Sequence, residues 1–213
     1  TLLLACGDDG TTVIPPDLTA HCDYQAMGSN ADVGTVVPPA APVVVADLLD
    51  WDWQPDRGRH PGELLFVADG ADGRQRIKAL SRASGAITEP AAGYTAVAIG
   101  DAIFYATDDD PGWIHRRDRA GDQRFVAITG PLSQLAVAPD SRRLAAVMSD
   151  PDTLPSLCVV DVATRAVRCP TTTRMQNGRP AFAPRGDVIY YPSATGLRAL
   201  DLATDDDRLV AAD

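Results

Sequence analysis

Carboxylates gather at three places in this sequence: Asp69 with Asp72, then Asp108, Asp109 and Asp110, then Asp150 with Asp152. Clustered negative charge attracts a basic partner segment or a cation. Trp113, beside the second cluster, adds the aromatic surface common at interfaces. The spacings do not fit a calcium loop of the D-x-[DN]-x-[DN]-G type. The plainer reading is solvated turn aspartate. Cysteine offers a second chemistry, with Cys6, Cys22, Cys158 and Cys169 present. A hairpin turn centred between Ala163 and Thr164 makes Val160 face Val167 and Cys158 face Cys169. Side chains alternate along a strand, so both sulfurs then lie on one face within bridging reach. Two buried free thiols are the alternative. The three histidines, His21, His60 and His115, stand in no nucleophile–base motif. G-x-S-x-G, H-E-x-x-H and a phosphate loop are absent. No catalytic residue, metal or cofactor is expected.

The chain opens "TLLLACGDDG". Leu2, Leu3 and Leu4 read as the end of an apolar signal core, with Ala5 as the small residue before a cut. The stretch resembles a bacterial lipobox, with Leu3 in the apolar position, Ala5 in the small one and Cys6 as the lipid acceptor. Leu4 departs from the small or β-branched residue usual there. The charged start of a signal is missing, so an upstream segment is expected. The resemblance implies export and a lipid anchor, which suits disulfide formation. An incidental cysteine in a short apolar segment is the plainer reading.

A length of 213 residues suits one domain or part of a larger one. The net charge of −10 argues against nucleic acid, which needs clustered Lys and Arg. It argues equally against an anionic membrane surface as partner of the folded part. No run reaches the roughly 18 apolar residues of a membrane-spanning helix.

The elements that must position these residues are short strands. Residues 1–6 read as the signal end and 7–42 as a tether rich in Pro and Gly. From 43 to 213, apolar runs of strand length alternate with turn signals. "LLFVAD", "AIFYAT", "RLAAVMS" and "VIYYPS" are each followed by a second run, "RIKALS", "WIHRRD", "LCVVDV" and "LRALDL", and then by a third. Pro139 and Pro184 stand 45 residues apart, and Pro55 is taken as the same mark in the first unit. Ser81, Asp118, Asp161 and Asp201 close the second runs at steps of 37, 43 and 40 residues. A period near 40 with several strands per unit predicts a β-propeller. Four four-stranded blades are expected, over about 43–91, 92–130, 131–175 and 176–213, as an incomplete part of a larger propeller. The loops carrying the three Asp clusters then share one rim. Pro55, Asp56, Pro139, Asp140, Pro184, Gly186, Asp118, Asp161 and Asp201 are assigned structural turn roles.

"LAVAPDSRRLAAVMSD" with "LCVVDVATRAVRC", and "AFAPRGDVIYY" with "LRALDLATDDDRL", resemble the TolB-type, WD-like propeller repeat. "DWQPDRGRHPGELLFVADG" resembles it with an insertion before Leu64, and the second unit lacks Pro-Asp-Gly. The resemblance covers about 45–213. It implies an envelope location and protein partners rather than a chemistry. The resulting expectation is a non-enzymatic, lipid-anchored propeller binding a protein or peptide in the cell envelope. The alternative is the substrate-gating propeller of a hydrolase whose catalytic domain lies outside this sequence. A site built in the central channel is the weakest option, because the inner runs are Ala, Val, Leu and Phe.

Overall fold

The structure is a computed structural model, and it describes residues 53–149, 156–170, 175–176 and 178–212. All of these lie within the unit Leu48–Asp213. Cys6, the 7–42 tether, Asp150 and Asp152 fall outside the described residues.

Every named element is a strand. The first sheet comprises β1 (Trp53–Arg57), β2 (Glu63–Asp69), β3 (Gln75–Ser81) and β4 (Ile87–Ala92). The second holds β5 (Thr95–Ile99), β6 (Ala102–Ala106), β7 (Trp113–Asp118) and β8 (Gly121–Ala127). The third holds β9 (Leu132–Val137), β10 (Arg143–Met148), β11 (Ser156–Asp161) and β12 (Val167–Arg168). The fourth holds β13 (Ala181–Phe182), β14 (Val188–Ser193), β15 (Gly196–Asp201) and β16 (Asp207–Ala211). Each sheet is an antiparallel meander in chain order. The first strands β1, β5, β9 and β13 touch in succession, so they are innermost and β4, β8, β12 and β16 outermost. This is a β-propeller with four four-stranded sheets among the described residues.

Strand periodicity explains the stacking. A residue on a strand faces one neighbour and the next residue the other, so a middle strand with apolar residues at both parities fits between two sheets. In β10, Leu144 and Ala146 pack with Phe104, Phe125 and Ile114 of the second sheet. Ala145 and Val147 pack with Ile189, Tyr191 and Leu200 of the fourth. Leu65, Ile77 and Ala79 meet Ile103 and Tyr105 in the same way.

Turn chemistry repeats as well. Asp161 accepts the Thr164 amide at 2.8 Å, and Asp201 accepts the Ala203 and Thr204 amides at 2.8 and 3.0 Å. Those backbone bonds hold both carboxyls below the usual aspartate range. Asp118 accepts the Ala120 amide at 2.8 Å, and Asp140 accepts the Arg142 amide at 3.0 Å. Pro139 and Pro184 precede turns in which Ser141 and Gly186 take left-handed backbone, φ 62° and 73°. Pro55 and Asp56 differ from their assignment: they lie inside β1, beside an irregularity in its register with β2. The turn there is made later, with the Gly58 amide bonded to the Glu63 carbonyl at 2.8 Å. A proline without an N–H sits at a break in the ladder as readily as in a turn.

Candidate functional site

The β2–β3 and β6–β7 loops emerge at one end of adjacent sheets and bring Asp69, Asp72, Asp108, Asp109, Asp110 and Trp113 onto one rim. Arginines interleave with these carboxylates. Asp72 takes the Arg76 guanidinium at 2.5 Å, and its carboxyl is held below the usual range, chiefly by the Arg74 backbone amide. Arg74 reaches from the first sheet to within 3.7 Å of Asp109 on the second. Asp110 takes both Arg124 Nε and Nη2, at 2.7 and 2.9 Å, and meets His115 Nε2 at 3.0 Å. Arg124 holds its carboxyl down most strongly. The same guanidinium lies 5.0 Å from the Trp113 ring centroid. A cavity of about 150 Å³ opens between the two loops, lined by Arg74, Gln75, Gly93, Thr107, Asp108 and Asp109 among others.

The rim is therefore zwitterionic rather than purely acidic. Asp69 and Asp108 are exposed. Asp108 lies near enough to act on Tyr94, whose hydroxyl is pushed up to about 12, first by burial and then by that charge. Composition alone does not show this neutralisation. Arg74, in the β2–β3 loop, meets Asp109 in the loop of the neighbouring sheet, and Arg124, in β8, meets Asp110 in the β6–β7 loop, so the fold rather than nearness in sequence joins them.

At the opposite end, a cavity of about 800 Å³ is lined by the first–second strand turns of three sheets, with Arg59, His60, Glu63, Arg82, Gly100 and Ser141 on its walls. Arg59 binds Glu63 through Nε and Nη2 at 3.1 and 2.7 Å. His60 lies 3.7 Å from Asp101. Among the described residues, no three His, Cys, Asp or Glu approach as a metal site.

Cys158 and Cys169 are joined as a disulfide across β11 and the segment after Arg168. Cys158 is fully buried and Cys169 exposed. Sequence reasoning missed three other groups. Tyr105 donates to Asp122, with His115 Nδ1 at 3.7 Å from the same carboxylate. Tyr191 donates to Asp207 at 2.6 Å, and Arg198 Nε donates to it at 2.9 Å. The registers place these two clusters at equivalent positions in the second and fourth sheets. In the third sheet, the His115 position is occupied by Cys158. The last group is Arg179, which precedes β13. Its Nε donates to the Leu135 carbonyl at 2.9 Å, and its Nη2 binds Asp56 on β1. The signal for the first two was a Tyr and an Asp at matching repeat positions. Arg179 leaves no trace in the period.

No family model matches the chain, and no curated protein sequence matches it. Solved structures do. TolB from Acinetobacter baumannii superposes with a TM-score of 0.58 at 18% identity, over 68% of this chain and 39% of that one. A putative TolB from Agrobacterium tumefaciens gives 0.56 at 15%, over 69% and 60%. An oligogalacturonate lyase in complex with manganese gives 0.51 at 17%, over 71% and 50%. The chain thus spans between 39% and 60% of the length of these structures. The likeness shows a TolB-like β-propeller fold.

Proposed function

We propose that the protein is a non-enzymatic, lipid-anchored propeller scaffold of the cell envelope, held through Cys6 and binding a protein or peptide on the rim of Asp69, Asp72, Asp108–Asp110 and Trp113. One observation carries the reading. Two adjacent sheets project charged side chains of both signs, an aromatic and a small cleft into one surface. A surface of paired charges favours specific complementarity over bulk attraction. The fold itself serves unrelated functions, so the rim and not the propeller argues for binding. Asp150 and Asp152 extend the proposed rim by their place in the repeat.

The test is cross-linking in intact cells with the full-length protein. Asp108→Lys with Asp109→Lys alters exposed groups and spares Asp110, which the Arg124 pair needs. Capture of a defined partner should fall at least tenfold. The same reversal at Asp187 and Asp206, on the other end of the sheets, should leave it unchanged. Equal capture by both variants removes the rim from the proposal.

A further inference from the structure

The first sheet departs from its own repeat at the end opposite the rim. The first, third and fourth sheets join their first two strands by five residues each, 58–62, 138–142 and 183–187. One backbone bond closes all three turns: the amides of Gly58, Ala138 and Ala183 donate to the carbonyls of Glu63, Arg143 and Val188 at 2.8, 2.9 and 2.8 Å. That bond aligns the turns residue by residue. Where the third and fourth sheets place Pro139 and Pro184, the first places Arg59. A second bond recurs beside it: the amides of Arg82, Val162 and Leu202 donate to the carbonyls of Gly62, Arg142 and Asp187 at 2.7, 2.9 and 2.9 Å. Val162 and Leu202 pack on the apolar clusters. Arg82 is exposed, and its side chain makes no ion pair or hydrogen bond with a described residue. Both turns close elsewhere without an arginine, and both arginines line the same cavity of about 800 Å³. Local departures from a repeat that the fold does not require mark functional positions.

We infer that this cavity binds a small organic anion, whose carboxylate or phosphate oxygens are received by Arg82 and by the Nη1 side of Arg59. Arg59 is held ready for it. Glu63 takes its Nε, its Nη2 and its backbone amide, at 3.1, 2.7 and 2.6 Å, which leaves Nη1 unused. A Cβ added at Gly58 would lie 2.5 Å from Glu63 Cβ, so the turn presses directly on that carboxylate's stem. A guanidinium fixed in advance loses little freedom on binding, and its planar fork suits an oxyanion. Glu63 balances Arg59, so Arg82 leaves the wall with one positive charge in excess, on a chain of net charge −10. Asp101, beside His60 at 3.7 Å, is met by Arg119 at 3.3 Å. Pro61, Leu64, Ala98 and Pro139 supply apolar wall for a carbon skeleton. The volume falls in the range of small-molecule sites, about 300–1,000 Å³. The site lies away from the rim and holds whichever partner the rim takes.

Calorimetric titration of the complete natural polypeptide with benzoate and, separately, with phenyl phosphate tests it. The two probes share a ring, so the one that binds tells carboxylate from phosphate. At least one should saturate with a Kd of about 1 mM or below. Arg82→Gln should weaken that binding at least tenfold with Tm unchanged, since the side chain it removes has no partner. Arg59→Lys, which keeps the charge and loses the fork, should weaken it as well. Arg208→Gln, an exposed arginine on β16 outside the cavity, should leave it unchanged. Failure of both probes to saturate by about 20 mM overturns the inference. So does equal weakening by Arg82→Gln and Arg208→Gln, which would reduce the effect to bulk charge.

Discussion

Side chains at equivalent repeat positions solve one problem with three chemistries. The second and fourth sheets tie their outer strands by Tyr105–Asp122–His115 and Tyr191–Asp207–Arg198. The third uses a disulfide, and the first has Phe66 paired with Lys78 and Ile87 paired with Leu80 at these positions. Buried hydroxyls that donate to carboxylates resist ionisation. Tyr94 is pushed up to about 12 by burial and then by Asp108. Tyr105 is pushed further up, by burial and then by Asp122. A tyrosine whose folded value is raised contributes stability that is fully present below about pH 10, the ordinary range, and is lost as pH rises toward the folded value. Absorbance titration at tyrosinate wavelengths should therefore show a late component. Tyr94→Phe and Tyr105→Phe should each remove part of it. A single titration of all five tyrosines near the ordinary value would contradict this burial.

At the scale of strands and turns, β12 has only two paired residues, Val167 and Arg168. The Cys158–Cys169 bridge, with a sequence separation of 11, holds this outer edge where the ladder is short. Closing a loop of that size stabilises by about 2–3 kcal/mol. Reduction should lower Tm by roughly 5–10 °C, and the Cys158→Ala, Cys169→Ala double variant should become insensitive to reductant. The turns carry an internal control. Ser141 and Gly186 hold the same left-handed position in the third and fourth sheets. An L-residue there costs about 1–2 kcal/mol, so Gly186→Ala should destabilise by that order and Ser141→Gly should be neutral or stabilising. Chemical denaturation of the two variants checks the sign. These elements were legible because turn aspartates and apolar runs recur near one period, and because hairpin register follows once the turn is placed. Pro55 misled because Pro-Asp marks a turn at Pro139 but an irregular strand in β1. The rim charges were legible as aspartates only. Arg74 reaches Asp109 from the loop of the neighbouring sheet and Arg124 reaches Asp110 from β8, and a one-dimensional pattern does not say which charges the fold brings together.

The whole assembly is held by face-to-face apolar contact and by a few side chains that cross between sheets. Thr95 Oγ1 accepts the Leu135 amide at 3.1 Å, and the Tyr94 hydroxyl donates to the Leu132 carbonyl at 2.7 Å. Arg179 spans furthest, linking the approach to the fourth sheet with the inner strands of the third and the first. Its planar fork serves a carbonyl and a carboxylate together, which a lysine does not reproduce. Arg179→Ala should cost about 1–2 kcal/mol in urea unfolding. Arg179→Lys should lose most of the same amount. Full rescue by lysine would reduce the contact to simple charge.

Most of these crossing bonds point one way along the chain. Arg143 donates to the Gly186 carbonyl at 3.1 Å, Arg168 to the Leu202 carbonyl at 2.9 Å, and Tyr94 to the Leu132 carbonyl at 2.7 Å. In each, a side chain synthesised earlier waits for a carbonyl synthesised later. On a ribosome, the second and third sheets therefore leave the exit tunnel with these donors facing water, and the donors are satisfied only when the succeeding sheet follows. Arg179 runs the other way, back to Asp56 and Leu135. It is translated after both of its partners, and so it fastens what the growing chain has already laid down.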